Sequence, residues 1–363
     1  MPTPNFPVQH TDPEPFQSLA GQIKTWGQQL GFQQVGITDT DLAEAELRLL
    51  GWLAAGYQGD MGYMERHGTR RSRPAELVPG TLRIISARMD YLPESPTASR
   101  QKQSDPASAF ISRYALGRDY HKVLRQRLQR LAERLVAHAG TAGYRVFVDS
   151  APVMEKPLAA KAGLGWIGKH TNLIHPQAGS WFFLGEIYTD LPLPVDAPFS
   201  DHCGRCHACL EICPTAAIVA PYQLDARRCI AYLTIEHCGS IPIALRPLIG
   251  NRIYGCDDCQ RVCPWNRFAR CTAETDFAPR HGLATATLLE LFCWDETTFL
   301  KRTEGSAIRR IGYVQWLRNL AVALGNAPSA PEVVNALRSR SDHAHPLVRE
   351  HIEWGLSRLH PLP

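Results

Sequence analysis

Cysteine spacing constrains this chain more than any other feature of it. Residues 202–214, HCGRCHACLEICP, place Cys203, Cys206, Cys209 and Cys213 in a C-x2-C-x2-C-x3-C-P run. Residues 255–264, GCDDCQRVCP, supply Cys256, Cys259 and Cys263 before a second proline, one ligand short. In such a run the first three thiolates hold one iron–sulfur cluster and the fourth serves the other of two. A zinc site typically uses two well-separated C-x2-C pairs and has no use for paired C-x3-C-P endings. The spacing therefore predicts two [4Fe–4S] clusters, with structural zinc or a disulfide framework as the alternative. Two clusters need eight cysteines, so the eighth is Cys229, Cys238, Cys271 or Cys293. Cys293, in LFCWDE, reads as a buried small hydrophobe. Cys271 follows Cys263 closely and is not excluded by spacing, which also leaves both Cys229 and Cys238 open. Crossing the fourth ligands puts Cys203, Cys206, Cys209 and Cys263 on one cluster. Cys213, Cys256 and Cys259 fall on the other, which Cys229 would complete.

Eleven cysteines gathered mostly in one segment point to metal binding in a reducing cytoplasm rather than a secreted scaffold. The proline-rich start, MPTPNFPVQHTDPEPF, lacks the apolar core of a signal peptide. No run of about eighteen apolar residues predicts a membrane span. The formal charge of +4 falls to about zero once each cluster with its thiolates contributes roughly −2. Net charge is thus silent on nucleic acid, and only its distribution can speak.

The 363 residues suffice for two or three domains. Residues 1–15 read as a disordered lead. A helix over Phe16–Leu30 stops at Gly31, FQQVGITD reads as a strand, and Asp41–Ala55 reads as an amphipathic helix through Leu42, Leu47, Leu50 and Leu53. LRIISARMDY is a strand, and the polar excursion at 93–109 reads as mobile. His121–His138 is a strong helix with Leu124, Leu128, Leu131 and Leu135 on one face and a basic, solvated opposite face. YRVFVDSAP gives a strand ending at Asp149, KPLAAKAGLGWIGKHTNLIHP a helix running into a glycine-rich turn, and GSWFFLGEIYTDLPL another strand. Alternating helices and strands over 16–195 indicate an α/β or α+β domain. Residues 196–275 form short helices and loops held by metal. The last stretch, 276–363, holds four helical segments that suggest a HEAT-like repeat. The fold class predicted is α+β multidomain.

The stretches SRYALGRDYHKVL, VDSAPVMEKPLAAKAGLGWIGKHTNLI, GSWFFLGEIYTDL, the two cysteine runs, DARRCIAYLTIEH and WLRNLAVALGN together resemble the epoxyqueuosine reductases. These are cobalamin-dependent enzymes that complete queuosine in tRNA, and the likeness covers the chain from about residue 16 onward. It implies an N-terminal α/β cobalamin-binding domain, a two-cluster ferredoxin-like domain and the helical C-terminus. It also implies Cys229 as the eighth ligand. Reducing an epoxide to an alkene takes two electrons and two protons, and an acid must protonate the departing oxygen. Asp149 is the candidate proton donor. It ends the apolar strand VFVD, and partial burial would raise its pKa and keep it protonated near neutrality. The plainer alternative is a turn aspartate capping Ser150-Ala151.

The resemblance also makes GLGWIGKHTNLI part of the cobalamin pocket; it is no dinucleotide fingerprint, because the preceding strand is wrongly placed. Arg113, Asp149, Lys169, His170, Asn172, Leu173 and Tyr188 are the expected cofactor contacts. For tRNA, the basic runs supply Arg70, Arg71, Lys301, Arg302, Arg309, Arg310 and Arg318, with Tyr313 and Trp316 interleaved. A splayed wobble base could then enter the pocket. The reading is a monomeric cytoplasmic oxidoreductase with no membrane partner, fed by an external donor such as flavodoxin or ferredoxin. Its rivals are a reductive dehalogenase-like corrinoid enzyme of small molecules, a non-catalytic electron-transfer module, and a nucleic-acid-binding protein with structural clusters.

Overall fold

The computed structural model describes residues 13–93 and 104–359. The expected disordered lead lies outside that range except for its last three residues, which open helix α1 (Pro13–Gln29). Most of the polar excursion at 93–109 also lies outside the described residues. Helix α1 gives way to a turn at Gly31, whose φ of +90° suits a residue without Cβ. Strand β1 (Gln34–Thr38), helix α2 (Ala43–Ala54), β2 (Arg83–Asp90), α3 (Tyr120–Ala139), β3 (Tyr144–Val148), α4 (Glu155–Lys161) and β4 (Phe182–Thr189) follow in order.

The four strands form one sheet in the order β1–β2–β4–β3, and every neighbouring pair is antiparallel. The alternation of helices and strands therefore does not produce the parallel sheet of a βαβ fold. The leucines of α3 lie on one sheet face: Leu124, Leu128, Leu131 and Leu135 are fully buried beside Ile85, Ala87 and Ile187. Their approach is close enough that a Cβ on Gly185 would come within 2.5 Å of Leu128. On the other face, Leu158 of α4 packs with Ile84, Phe147 and Tyr188. Helix α2 departs from expectation. Leu42, just before it, is buried and Leu53 half-buried, but Leu47 is 71% exposed and Leu50 also faces outward, so only part of the expected apolar face is covered.

The cysteine segment is built from short helices α5 (Ala208–Glu211), α6 (Ile230–Ile235) and α7 (Asp258–Val262) on long loops. The first expected C-terminal helix is two, α8 (Leu288–Phe292) and α9 (Glu296–Arg302), because Asp295 caps the second by accepting from Thr298 N at 2.7 Å. Cys293 sits at this break and is exposed, so it is not the buried small residue expected. Helices α10 (Gly312–Gly325), α11 (Pro331–Arg338) and α12 (Pro346–Leu359) complete the chain. Their core also takes in Ile111, Ile253 and Tyr254, which ties the cysteine segment to the C-terminal helices. Among the described residues no helix is long and apolar enough to cross a membrane.

Candidate active site and cluster ligands

Two neighbouring cavities sort the cysteines. Cys203, Cys206, Cys209 and Cys263 line one of about 210 Å³, together with Lys169, His170 and Trp265. Cys213, Cys229, Cys256 and Cys259 line another of about 510 Å³. Local geometry explains the grouping. Cys209 lies on α5, Cys229 is the residue from which α6 starts, and Cys259 lies on α7. All eleven cysteines are free thiols, which excludes the disulfide framework. Cys238 and Cys271 are exposed and line neither cavity, and Cys238 points its thiol at Glu236 O.

The sulfurs line two spaces, four thiols to each, as ligands to two polynuclear clusters would. Burial, followed by the thiols of Cys263, Cys203 and Cys206, pushes Cys209 up to about 11. Burial also raises Cys259, with Cys229 and Cys213 adding to the rise. Such crowded thiols give up their protons when a metal centre takes the charge. The donor set fits two clusters.

The larger cavity runs from the inner four cysteines to Asp149, past His170, Asn172 and Leu173. Strand β3 ends at Val148, so the next side chain leaves the sheet edge and faces this space. Tyr120 O–H donates to Asp149 Oδ2. His121 Nε2 lies 2.6 Å from Asp149 Oδ1. On its other side, His121 Nδ1 lies 2.8 Å from Asp119 Oδ1. Arg310 Nη2 donates to both Asp119 oxygens, at 2.8 and 2.7 Å. Helix α3 makes this possible, because Asp119 caps its N-terminus while Tyr120 and His121 occupy its first turn. The Tyr120 ring stacks on Phe183 of the sheet, which fixes the turn against β4.

These contacts overturn one expectation. Burial does push the Asp149 carboxyl upward, but the hydrogen bond and charge of His121, with the Tyr120 hydroxyl, outweigh it and hold the group below the ordinary carboxylate value. Burial pushes His121 down, and the two carboxylates beside it more than reverse that. Asp149 therefore rests as a carboxylate near neutrality.

The expected cofactor contacts divide. His170, Asn172 and Leu173 line the large cavity. His170 accepts from Asn172 N on Nδ1, its buried Nε2 has no partner, and burial pushes it down to about 4, so the ring is neutral. Lys169 is engaged elsewhere, donating to Gly204 O at 2.7 Å and Cys206 O at 2.9 Å and so holding the outer cysteine loop. Tyr188 is plain core, packed with Phe147 and Leu158. Arg113 is buried with its guanidinium over the Phe110 ring and does not line the cavity.

The basic residues divide as well. Arg70, Lys301, Arg302 and Arg309 are exposed. Arg318 is fully buried and donates to Leu233 O, His237 O and Gly239 O, so no nucleic acid can reach it. Arg71 is buried and donates to Tyr63 O. Trp316 is fully buried in the C-terminal core. Arg310 is half exposed and belongs to the Asp149 group. Sequence reasoning missed Tyr120, His121, Lys156 and Glu236, all beside Asp149 or lining its cavity. Three adjacent polar residues, Asp-Tyr-His, at the start of an otherwise leucine-patterned helix were the available signal for the first two.

A family model described as "Epoxyqueuosine reductase QueG, DUF1730" matches residues 71–150, and one for a 4Fe-4S double cluster binding domain matches residues 202–266. The chain is 64% identical over 347 residues to the epoxyqueuosine reductase of Pseudomonas aeruginosa, covering 95% of this chain and 96% of that protein. An epoxyqueuosine reductase solved with an epoxyqueuosine-modified tRNA-Tyr stem loop superposes with a TM-score of 0.84 at 27% identity, covering 94% of this chain and 90% of that one. The enzyme from Bacillus subtilis, solved with a catalytic aspartate loop swung out of the active site, gives 0.85 at the same identity and coverage.

Proposed function

The chain belongs to the epoxyqueuosine reductase family, and from that we infer that it reduces epoxyqueuosine to queuosine in tRNA. The modified base is the wobble base of the anticodon loop. The conversion removes the epoxide oxygen as water and forms an alkene. The observation that carries the reading is one cavity with Asp149 on one side and Cys213, Cys229, Cys256 and Cys259 on the other. Electrons and a proton donor can meet in that space. Two [4Fe–4S] clusters fit the two cysteine sets, with the outer set nearer solvent through the exposed Cys206. An external one-electron donor supplies the outer cluster.

Cobalamin is the cofactor proposed for the larger cavity. The neutral His170 with its unpartnered Nε2, beside Asn172 and Leu173, supports it by offering a hydrogen-bonding edge to a large amide-rich ligand. When bound it supplies a low-potential cobalt nucleophile that takes electrons singly. The protein's own part is to exclude water, present the base and manage protons. Asp149, at the cavity wall, hands a proton to the departing oxygen. Arg70, Lys301, Arg302 and Arg309 are the exposed cations proposed to meet tRNA phosphates. Residues 16–195, 196–275 and 276–363 are the proposed cofactor, cluster and HEAT-like units of a cytoplasmic monomer.

The test is turnover of tRNA bearing epoxyqueuosine, with cobalamin and a strong reductant under anaerobic conditions. Asp149→Asn should lower turnover by about 10²-fold or more and leave iron content and cobalamin binding intact. Full turnover by the variant would remove Asp149 from the proton-transfer role. No turnover by the unaltered protein would remove the proposed reaction.

A further inference from the structure

Asp149 must deliver a proton, yet its surroundings favour the carboxylate, so the proton has to be kept elsewhere. Both ring nitrogens of His121 face carboxylate oxygens, Nδ1 at 2.8 Å from Asp119 and Nε2 at 2.6 Å from Asp149. A neutral imidazole has one N–H and one lone pair, and a lone pair aimed at a carboxylate is repelled. The doubly protonated ring satisfies both contacts, whereas a neutral ring with its lone pair on Nδ1 would turn that nitrogen to Arg310 Nη2, 2.8 Å away, which is already drawn to both Asp119 oxygens. Charge counting agrees. The groups facing His121 are Asp119, Asp149, the cation Arg310 and the Tyr120 ring, tilted by 34° at 4.0 Å. Arg310 is taken up by both oxygens of Asp119, so two carboxylates and one guanidinium leave one negative charge for an imidazolium to balance.

We propose that His121, held as an imidazolium between Asp119 and Asp149, is the proton store of the reaction and acts through Asp149. This rests on the reductase reading and extends it. In the balanced step, N–H at Nε2 passes its proton to Asp149 Oδ1, and the Asp149 carboxyl passes one to the oxygen leaving carbon. Across a full turnover both epoxide C–O bonds break, one carbon–carbon π bond forms, two electrons arrive from the external donor through the clusters, and two protons leave with the oxygen as water. Between deliveries His121 is recharged from solvent at its Asp119–Arg310 side, where Arg310 is half exposed. His121 is thus a positioning residue, and Asp119 with Arg310 sets its protonation.

The sign of the pH dependence follows. The store is full below the histidine's raised value and empties as pH rises through it, so turnover should hold at lower pH and fall on the alkaline side. Asp119→Asn keeps a good helix cap but removes one carboxylate, so the alkaline fall should move to lower pH. His121→Gln should lose about 10²-fold or more of turnover and lose that fall altogether. Independently, ¹³C-histidine NMR of the cluster-loaded protein, with the His121 signal identified by its absence in His121→Gln, should show a midpoint above the ordinary 6.5. A midpoint at or below 6.5, or an alkaline fall unmoved by Asp119→Asn, would overturn the proposal. Absence of turnover in the unaltered protein strikes the reaction itself, while the NMR midpoint still decides the store.

Discussion

Cys229 and Cys238 lie on the same short stretch of chain, yet only one meets the inner cysteines. Cys229 is the residue from which α6 starts and lines the cavity with Cys213, Cys256 and Cys259; Cys238 lies beyond the far end of that helix, exposed. Cys229→Ser should therefore lose one of the two clusters in anaerobically purified protein, and Cys238→Ser should keep both. Iron and sulfide content with the visible absorbance of the cofactor checks this, and the opposite pattern would move the ligand. Residue identity alone could not separate the two, because spacing fixes only ligands within a few residues of one another. The seven cysteines of the two runs were legible for that reason. His121 was not, since its distance from Asp149 depends on how α3 lies across β3 and β4.

At the scale of elements, α10 shows why a basic run is an unreliable guide to a surface. Arg318 and Asn319 lie fully within the fold and tie α10 to α6. Arg318 donates to three carbonyls, and Asn319 to Thr234 O at 2.8 Å and Ile253 O at 2.9 Å. The helix thereby fixes the segment that carries Cys229. Arg318→Met removes the donor to the buried Leu233 carbonyl and leaves it unpaired, a loss of about 1–3 kcal/mol. The expected result is a lower urea midpoint together with partial loss of the inner cluster, and an unaltered tRNA salt dependence. An unchanged midpoint with weakened tRNA binding would place the side chain on the surface instead. The helix itself was legible from its apolar pattern. Which of its polar residues turn inward depends on carbonyls supplied by a distant segment, and no local pattern encodes that.

For the whole molecule, of the seven basic residues expected at tRNA, Arg71 and Arg318 are buried and Arg310 is paired with Asp119, which leaves Arg70, Lys301, Arg302 and Arg309 exposed. If they meet phosphates, Arg309→Glu should make tRNA binding weaker and less sensitive to salt. Removing one phosphate-neutralising cation lowers the slope of log K against log salt by about 0.7–0.9. Filter binding between low and moderate salt reads this directly, and an unchanged slope would put the tRNA elsewhere. That helices and strands come first, the cysteine runs next and helices last was readable from periodicity and spacing. The sharing of one core by Ile111, Ile253 and the C-terminal helices was not, because it joins residues far apart in sequence. Of the eight cysteines proposed as cluster ligands, Cys206 is the one that is exposed. Dioxygen and other small oxidants therefore meet the outer centre first, and damage in air should travel inward, with the supply of electrons failing while the chamber that holds the base is still sound.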